Sequence, residues 1–186
     1  MRIISGFLKG KKIDFIKSTT TRPLRDFVKE NIFNIINHSN IIDIKLINAN
    51  ILDIYSGVGS FGIECISRGA RSTTFIENSR DALIKLKKNL KDLNIKKNFE
   101  ILNEKTSSFF NKSDNKNKFE LIFLDPPYAE DAIVDDLIAI KNSTIYKKKH
   151  LIIIHREIRS QDKLGEIINI LLIKNYGRSK VIFGTF

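Results

Sequence analysis

Residues 51–62 read ILDIYSGVGSFG, a short apolar run followed by a turn with three glycines. The run 51–54 is predicted to be a buried strand, and the residues after 60 are predicted to continue into a helix. Glycines remove the Cβ atoms that would keep a ligand from the backbone, and the start of a helix offers unpaired N–H groups to a polar or anionic ligand. The stretch therefore predicts a ligand site at the carboxyl end of a strand.

Two acidic residues favour one ligand for this turn. The spacing of Gly57, Gly59 and Gly62, with Glu77 twenty residues after Gly57, also satisfies the dinucleotide-binding pattern G-x-G-x-x-G. Asp53 favours S-adenosylmethionine instead, because a carboxylate inside the strand attracts the ammonium group of a methionine moiety and repels a pyrophosphate. Glu77 suits the ribose hydroxyls of either ligand, since a carboxylate accepts hydrogen bonds from both.

A second motif, LIFLDPPY at residues 121–128, places an acidic group after another apolar run. Pro126 and Pro127 have no N–H, so their carbonyl groups are predicted to face outward as acceptors. An exocyclic amine has two N–H donors, which Asp125 and one of these carbonyls can accept while Tyr128 stacks on the base. Such bonding turns the nitrogen lone pair toward an electrophilic methyl group. These four residues, 125 to 128, are the predicted catalytic residues of methyl transfer to an amino nitrogen.

The rest of the chain alternates short apolar runs with amphipathic segments, which is typical of βα units around a parallel sheet. Strands are predicted near 50–54, 72–76, 99–102, 120–124, 150–155, 167–173 and 180–185. Helices are predicted near 60–68, 79–94, 105–110 and 131–141, and the Asn- and Lys-rich run 111–118 is predicted to be an exposed loop. A small β-hairpin over residues 1–16 and a helix with an apolar face from Val28 to Ile36 precede them. We therefore expect an N-terminal extension over residues 1–40 and the main domain over residues 41–186.

Length and composition limit the remaining possibilities. With 186 residues and 42% hydrophobic content the chain can bury one core, and its single cysteine, Cys65, excludes an internal disulfide. No group of Cys and His has the spacing of a zinc site, and no apolar run reaches the roughly 20 residues that cross a bilayer. No metal and no membrane partner are expected. The protein is expected to be a cytoplasmic monomer.

The net charge of +11 favours a polyanionic partner such as nucleic acid, with a lysine-rich solvated surface as the alternative. The excess is concentrated at the amino end, where residues 1–29 carry eight basic and two acidic side chains. Contacts with RNA are predicted for six of these basic residues: Arg2, Lys9, Lys11, Lys12, Arg22 and Arg25.

The two motifs, in this order and separation, resemble class I S-adenosylmethionine-dependent amino-methyltransferases, whose seven-stranded sheet has an antiparallel last strand. RIISG at 2–6, GKK at 10–12 and TRPLRDFVKENIFN at 21–34 are similar to hallmarks of the RsmD family, as are SRGA at 67–70, FIE at 75–77 and YGRS at 176–179. Resemblance to this family implies a Rossmann-like α/β fold. It also implies methylation of the N2 amine of a guanine in 16S ribosomal RNA, within small-subunit particles.

The resemblance further implies which residues bind the methyl donor, S-adenosylmethionine. They are Asp53, Tyr55, Gly57, Gly59, Glu77, Thr106 and Asp125. Lys105 stands where the family usually has an acidic or amide side chain for the adenine, so a backbone contact from Thr106 is expected there. His155 is interpreted as a histidine satisfied at a strand end rather than a general base, and Cys65 as a core residue rather than a nucleophile.

Other functions remain open. A DNA adenine-N6 methyltransferase would use the same tetrapeptide, but a chain of 186 residues leaves no room for a large target-recognition domain. A protein glutamine methyltransferase usually has Asn at the first position of the tetrapeptide and does not require such positive charge. A non-catalytic RNA-binding protein on the same fold is disfavoured by the intact Asp53, Gly57, Gly59, Asp125 and Tyr128.

Overall fold

The computed structural model describes residues 1–16, 24–110, 118–127 and 132–186. Arg22, Tyr128 and all but the last residue of the predicted loop 111–118 lie outside these ranges.

The described residues form an α/β structure around one seven-stranded sheet. Its strands are β1 (Asn50–Ile54), β2 (Ser72–Glu77), β3 (Phe99–Asn103), β4 (Phe119–Leu124), β5 (Tyr146–Glu157), β6 (Asn169–Tyr176) and β7 (Ser179–Thr185). The helices are α1 (Asp26–His38), α2 (Ser60–Ser67), α3 (Arg80–Asp92), α4 (Thr106–Phe110) and α5 (Ile133–Ser143), with a 3₁₀ turn at Leu164–Glu166.

The strand order is β3-β2-β1-β4-β5-β7-β6, with the first five strands parallel and β7 antiparallel to both of its neighbours. This order confirms the predicted Rossmann-like sheet and its antiparallel last strand. Strand order reverses between β1 and β4, because β2 and β3 extend the sheet to one side and β5 to the other. Ligands of such sheets bind in the crevice at the carboxyl ends of the strands beside this reversal.

Two strands differ from their predicted positions. Strand β5 begins at Tyr146 rather than near 150, because the polar run Lys147–Lys149 hides the first part of the strand from an apolar pattern. Strand β6 spans Asn169–Tyr176 rather than about 167–173, because the 3₁₀ turn ends at Glu166 and Ile168 packs into the core just after it, and the strand pairs with β7 as far as Tyr176. The other predicted strands and helices are confirmed to within about two residues.

The sheet is covered on both faces, so β1 is buried on both sides. Ile51 packs with α1 and α2 on one face, and Leu52 packs with α5 on the other. On the first face, the rings of Phe33 and Phe61 lie 5.2 Å apart, and those of Phe61 and Phe123 lie 3.9 Å apart. This stack joins α1, α2 and β4, so α1 shares its core with the sheet. Cys65 is buried in the same cluster, which confirms its interpretation as a core residue.

Residues 1–16 fold back along α2. The predicted β-hairpin is present as a chain reversal with a single antiparallel bridge, between Arg2 and Lys12. Regular strands do not form there because the N–H groups of Ile4 and Ser5 donate to the carboxylate of Glu64 on α2, at 2.8 and 2.9 Å. The reversal is nevertheless anchored in the core through Ile3, Leu8 and Ile13.

One basic residue of the N-terminal segment is buried. The side chain of Lys29 is fully enclosed, with its Nζ 3.6 Å from Glu64 Oε2 and donating to the Arg2 carbonyl oxygen at 2.8 Å. Burial lowers the pKa of Lys29, and the charges of Glu64 and Asp26 oppose that effect. Lys29 therefore does not belong to the basic surface, although the sequence counts it in the basic excess of residues 1–29.

Candidate active site

The two sequence motifs meet where the strand order reverses. Asp53 lies in β1 and Asp125 directly follows β4, and the two strands pair in parallel from Ile51–Leu121 to Ile54–Leu124. The N–H of Asp125 also lies 3.4 Å from the Ile54 carbonyl oxygen, which extends this pairing to the end of the sheet. Both motifs thus reach the same edge of the sheet, in the crevice that this topology reserves for ligands.

The glycine turn after β1 has the shape that the sequence predicts. Gly59 has φ +84°, and a Cβ there would lie 2.4 Å from the Leu86 side chain, so a larger residue does not fit. Gly57 has φ +54° and nothing within 4 Å of where its Cβ would be, so the backbone there faces open space. Beside it, Ser56 Oγ is buried without a hydrogen-bond partner among the described residues. The turn therefore offers an approachable backbone and an unused polar atom to a ligand.

Glu77, at the end of β2, holds the glycine turn in place. Its Oε2 accepts from the Gly57 N–H at 2.8 Å, and its Oε1 accepts from the N–H groups of Asn78 and Ser79 at 2.9 and 2.7 Å. A carboxylate has about four acceptor sites, so these three bonds leave room for one hydroxyl donor. Glu77 thus braces the turn, and the predicted contact with ribose hydroxyls would use its remaining site.

Asp53 is enclosed beneath the turn. Its Oδ2 accepts from the Gly62 N–H at 2.9 Å, at the start of α2. Burial raises the pKa of Asp53 to about 8, with the Gly62 hydrogen bond acting against this shift and the charges of Asp125 and Glu77 adding to it. A cation bound beside Asp53 would lower this pKa again, because it stabilises the carboxylate.

Asp125 is held by a histidine from the neighbouring strand. His155 Nδ1 lies 2.8 Å from Asp125 Oδ1, with the histidine side chain 6% and the aspartate side chain 21% exposed. Burial acts to lower the pKa of His155, but the charge of Asp125 and the hydrogen bond to it outweigh burial, and the pKa is raised. The contact fixes Oδ1, so Oδ2 is the oxygen of Asp125 best placed to meet a ligand.

The proline turn after β4 is held by Arg156, which follows His155 in β5. Arg156 Nη1 lies 3.4 Å from the Pro127 carbonyl oxygen, and the guanidinium is fixed from behind by Asp162 at 3.0 and 3.1 Å. Since the Pro127 carbonyl already faces Arg156, the Pro126 carbonyl is the better acceptor for a ligand N–H. His155 and Arg156 together fix the geometry of the turn.

The other residues predicted to bind the methyl donor lie around the same crevice and have different roles. Tyr55, at the end of β1, has φ +59° and donates its hydroxyl to Asp136 of α5 at 2.6 Å, so its side chain joins two elements. Thr106 is buried at the first residue of α4, and Lys105 before it is exposed. The backbone of Thr106 is therefore available at a helix start, as the predicted adenine contact requires.

The predicted RNA-binding residues divide along α2. The Arg2–Lys12 bridge lies near the start of α2, where Lys29 links the Arg2 carbonyl to Ser60 Oγ. The tip of the reversal lies at the other end of the helix, where the Phe7 N–H donates to the Ser67 carbonyl oxygen at 2.9 Å. Because α2 starts at the glycine turn, Arg2 and Lys12 are near the candidate site, whereas Lys9 is about 12 Å away along the helix axis.

Among the residues that the structure describes, no group of three or more His, Cys, Asp or Glu side chains is arranged to hold a metal ion. Within the same residues, no helix has the length and apolar character needed to cross a membrane.

Comparisons with known proteins identify the family. The family model described as "Conserved hypothetical protein 95" matches residues 1–185 of the chain. A protein named ribosomal RNA small subunit methyltransferase D, from Buchnera aphidicola subsp. Acyrthosiphon pisum, is 36% identical over 83% of this chain and 77% of its own length. The chain belongs to the RsmD family. A putative rRNA methyltransferase YlbH from Bacillus subtilis is 32% identical over 90% of each chain.

A solved structure supports the fold of this RsmD-family chain. The putative methyltransferase yhhF from Escherichia coli superposes with a TM-score of 0.83 over 99% of this chain and 96% of that chain, at 24% sequence identity. The superposition supports the class I methyltransferase fold of the chain.

Sequence reasoning on this RsmD-family chain missed one contact in the candidate site. The interpretation of His155 as a satisfied histidine is confirmed, but its partner is Asp125, the predicted catalytic carboxylate. Two residues that each follow an apolar run of neighbouring parallel strands end at the same sheet edge. That shared position was the available signal, and it required the strand order β4-β5 to be known.

Proposed function

We propose that this chain transfers the methyl group of S-adenosylmethionine to the exocyclic N2 amine of a guanine in 16S ribosomal RNA of the small subunit. The names of its relatives support ribosomal RNA as the substrate. The observation that carries the reaction is the Asp125 carboxylate, held by His155 at the end of β4 beside the glycine turn. This arrangement places a fixed hydrogen-bond acceptor for an amine next to the site proposed for the methyl donor.

The described residues fit the methyl donor. Asp53 is suited to the ammonium group, and the backbone at Gly57 and the unused Ser56 Oγ offer polar contacts in an approachable turn. Glu77 takes one ribose hydroxyl with its remaining acceptor site, and the Thr106 backbone takes the adenine. When bound, S-adenosylmethionine supplies an electrophilic methyl carbon on a positively charged sulfur.

The proline turn binds and orients the amine. Asp125 Oδ2 and the Pro126 carbonyl accept its two N–H bonds, and the Tyr128 ring stacks on the base. Holding both hydrogens aligns the nitrogen lone pair with the methyl carbon. Methyl transfer to this nitrogen would form the N–C bond as the C–S bond breaks with its electron pair going to sulfur, and the surplus proton of the amine would leave to water.

The basic N-terminal segment binds the RNA backbone in this proposal. Phosphate contacts position a nucleic acid without reading its sequence, so these side chains would set the register while the proline turn receives a base that has left its stack. The residues assigned to this contact are Arg2, Lys9, Lys11, Lys12, Arg22 and Arg25.

A substrate panel tests the proposed function. The protein is incubated with methyl-labelled S-adenosylmethionine and 16S RNA, small ribosomal subunits, duplex DNA or a release factor, and the products are digested and separated. We expect label in N2-methylguanosine from RNA or from subunits, and the comparison of these two shows whether assembly is required. Label in N6-methyladenosine from duplex DNA, or in glutamine of the release factor, would contradict the proposal.

A further inference from the structure

The turn between β6 and β7 lies at the same sheet edge as Asp125. Strand β7 runs antiparallel to β5, and its pairing proceeds from Gly184–Ile152 through Val181–His155 to Ser179–Glu157. Ser179 is thus two residues beyond the partner of His155, a distance of about 7 Å along the strand. The YGRS motif, Tyr176–Ser179, therefore ends beside the candidate site. The proposed function gives this motif no role.

An aromatic pair covers this turn. The first turn of α1 brings Phe27 to Tyr176, with ring centroids 6.1 Å apart and the rings at 83°, an edge-to-face contact. Phe27 remains 65% exposed, whereas Val28 and Lys29, which follow it, are buried. Tyr176 is half-buried and packs against the core, so its ring supports Phe27 from one side. An aromatic face is thus presented to solvent at the active edge.

Two basic side chains flank the pair in the sequence. Arg25 and Arg178, on either side of the two rings in sequence, are both exposed. The carboxylate closest to Phe27 in sequence, Asp26, is offset by Arg2 at 4.0 Å and Lys29 at 3.9 Å. Exposed aromatic rings among arginines bind single-stranded nucleic acid, because bases stack on the rings while the cations contact the phosphates. The chain's net charge of +11 favours the same partner.

We propose that Phe27, supported by Tyr176 and flanked by Arg25 and Arg178, is a stacking platform for an unpaired base of the RNA strand that carries the target guanine. The inference rests on the proposed function for the identity of the RNA. It adds a second base-binding position at the sheet edge, separate from the one at Tyr128. When the target guanine leaves its stack, the neighbouring bases lose part of their stacking contacts. The platform would provide a new stacking contact for one of these bases.

The test compares two exposed phenylalanines in different places, Phe27 in α1 beside Tyr176 and Phe7 at the tip of the N-terminal reversal beside Ser67. Phe27→Ala removes the platform, and Phe7→Ala removes a ring that is 71% exposed near Ser67, away from the site. Binding of a fluorescent single-stranded RNA oligonucleotide and of 16S RNA is measured at several salt concentrations. We expect Phe27→Ala to weaken binding about 5- to 150-fold, the loss of one stacked base, with an unchanged salt slope. Phe7→Ala and the conservative Phe27→Tyr should bind as the unmodified protein does.

Companion measurements separate base stacking on Phe27 from charge attraction by the arginines. Arg25→Gln with Arg178→Gln should reduce the salt slope by about 1 per lost phosphate contact, which Phe27→Ala should not do. In the methylation assay Phe27→Ala should raise KM for RNA and leave kcat and donor affinity unchanged. Unchanged RNA affinity of Phe27→Ala, or an equal loss in Phe7→Ala, would overturn the platform while leaving the proposed function intact. An unmodified protein that methylates no RNA would instead contradict the proposed function.

Discussion

At the residue scale, the contact between His155 and Asp125 governs the carboxylate that is proposed to bind the amine. Both protonation states of the imidazole can donate from Nδ1, so the hydrogen bond survives titration. The positive charge of the imidazole, in contrast, is lost on deprotonation. A protonated His155 partly neutralises Asp125 and weakens it as an acceptor, whereas a neutral His155 leaves the full negative charge on the carboxylate.

This difference predicts a pH dependence of methyl transfer. The rate should rise as pH increases through the raised pKa of His155, because the deprotonated imidazole leaves Asp125 the stronger acceptor. His155→Gln keeps a neutral donor and should retain most of the activity near pH 8 but lose this inflection. Single-turnover rates across pH check it, with Asp53→Asn as the control for the other titrating group nearby. A His155→Gln profile that superimposes on that of the unmodified protein would show that His155 has only a packing role.

Glu77 is expected to act on donor binding rather than on the methyl transfer step. Glu77→Ala should lower the affinity for S-adenosylmethionine by roughly 1.5–3 kcal/mol, the value of a charge-assisted hydrogen bond. Glu77→Gln is the matched variant, because its amide oxygen can still accept from the Gly57 N–H. It should therefore lose less affinity than the alanine variant. Calorimetric titration measures both, and unaltered affinity in Glu77→Ala would contradict the donor assignment.

Asp53 predicts how stability depends on pH. Its pKa is about 8 in the folded chain against an ordinary value of 3.8, so between these values the folded state holds a proton that the unfolded state releases. The contribution of Asp53 is fully present below about pH 4 and is lost as pH rises toward 8, by at most about 1.4 kcal/mol per pH unit. Asp53→Asn should flatten this decline in urea unfolding measured from pH 5 to 8.5. Parallel curves for the two proteins would contradict the raised pKa.

At the element scale, the N-terminal reversal runs along α2, so its basic residues lie at different distances from the candidate site. Arg2→Gln with Lys12→Gln removes charge near the glycine turn, and Lys9→Gln with Lys11→Gln removes it toward the tip. We expect the first pair to reduce the salt slope of RNA binding by about 1 per lost phosphate contact, and the second pair to reduce it less. Donor affinity should not change in either. If neither pair altered the slope, the basic excess would be a solvated face.

The elements that sequence predicts well are those whose signals are local. The glycine turn at 57–62 and the proline turn at 125–127 are specified by neighbouring residues, so their conformations follow from steric limits on a few backbone angles. The burial of Lys29 could not be predicted in this way, because its partner Glu64 is on a different helix, 35 positions later in the chain. The His155–Asp125 contact likewise depends on which strands become neighbours.

At the scale of the whole molecule, the sheet places two groups of residues at one edge, those proposed to bind the methyl donor and those proposed to bind the amine. The ends of β1 and β2 carry the residues proposed to hold the methyl donor, and the ends of β4 and β5 carry those proposed to bind the amine. The reversal of strand order between β1 and β4 opens the crevice in which both ligands can meet. The N-terminal segment is anchored through Glu64 of α2, and the turn between β6 and β7 lies at the same edge as Asp125. Both are proposed to contact the RNA.

The proposed chemistry at this edge is tested by single-turnover methylation of 16S RNA with the unmodified protein and with Asp125→Ala, identifying the modified nucleoside in each case. We predict N2-methylguanosine from the unmodified protein. Asp125→Ala should form the same product about 10²- to 10³-fold more slowly, because one oriented electrostatic partner is lost. Donor affinity should stay within a few-fold, because in this account Asp125 contacts mainly the amine and the donor keeps its contacts with Asp53 and Glu77. Formation of a different methylated nucleoside, or equal rates in the two proteins, would contradict the role of Asp125 in binding a guanine amine.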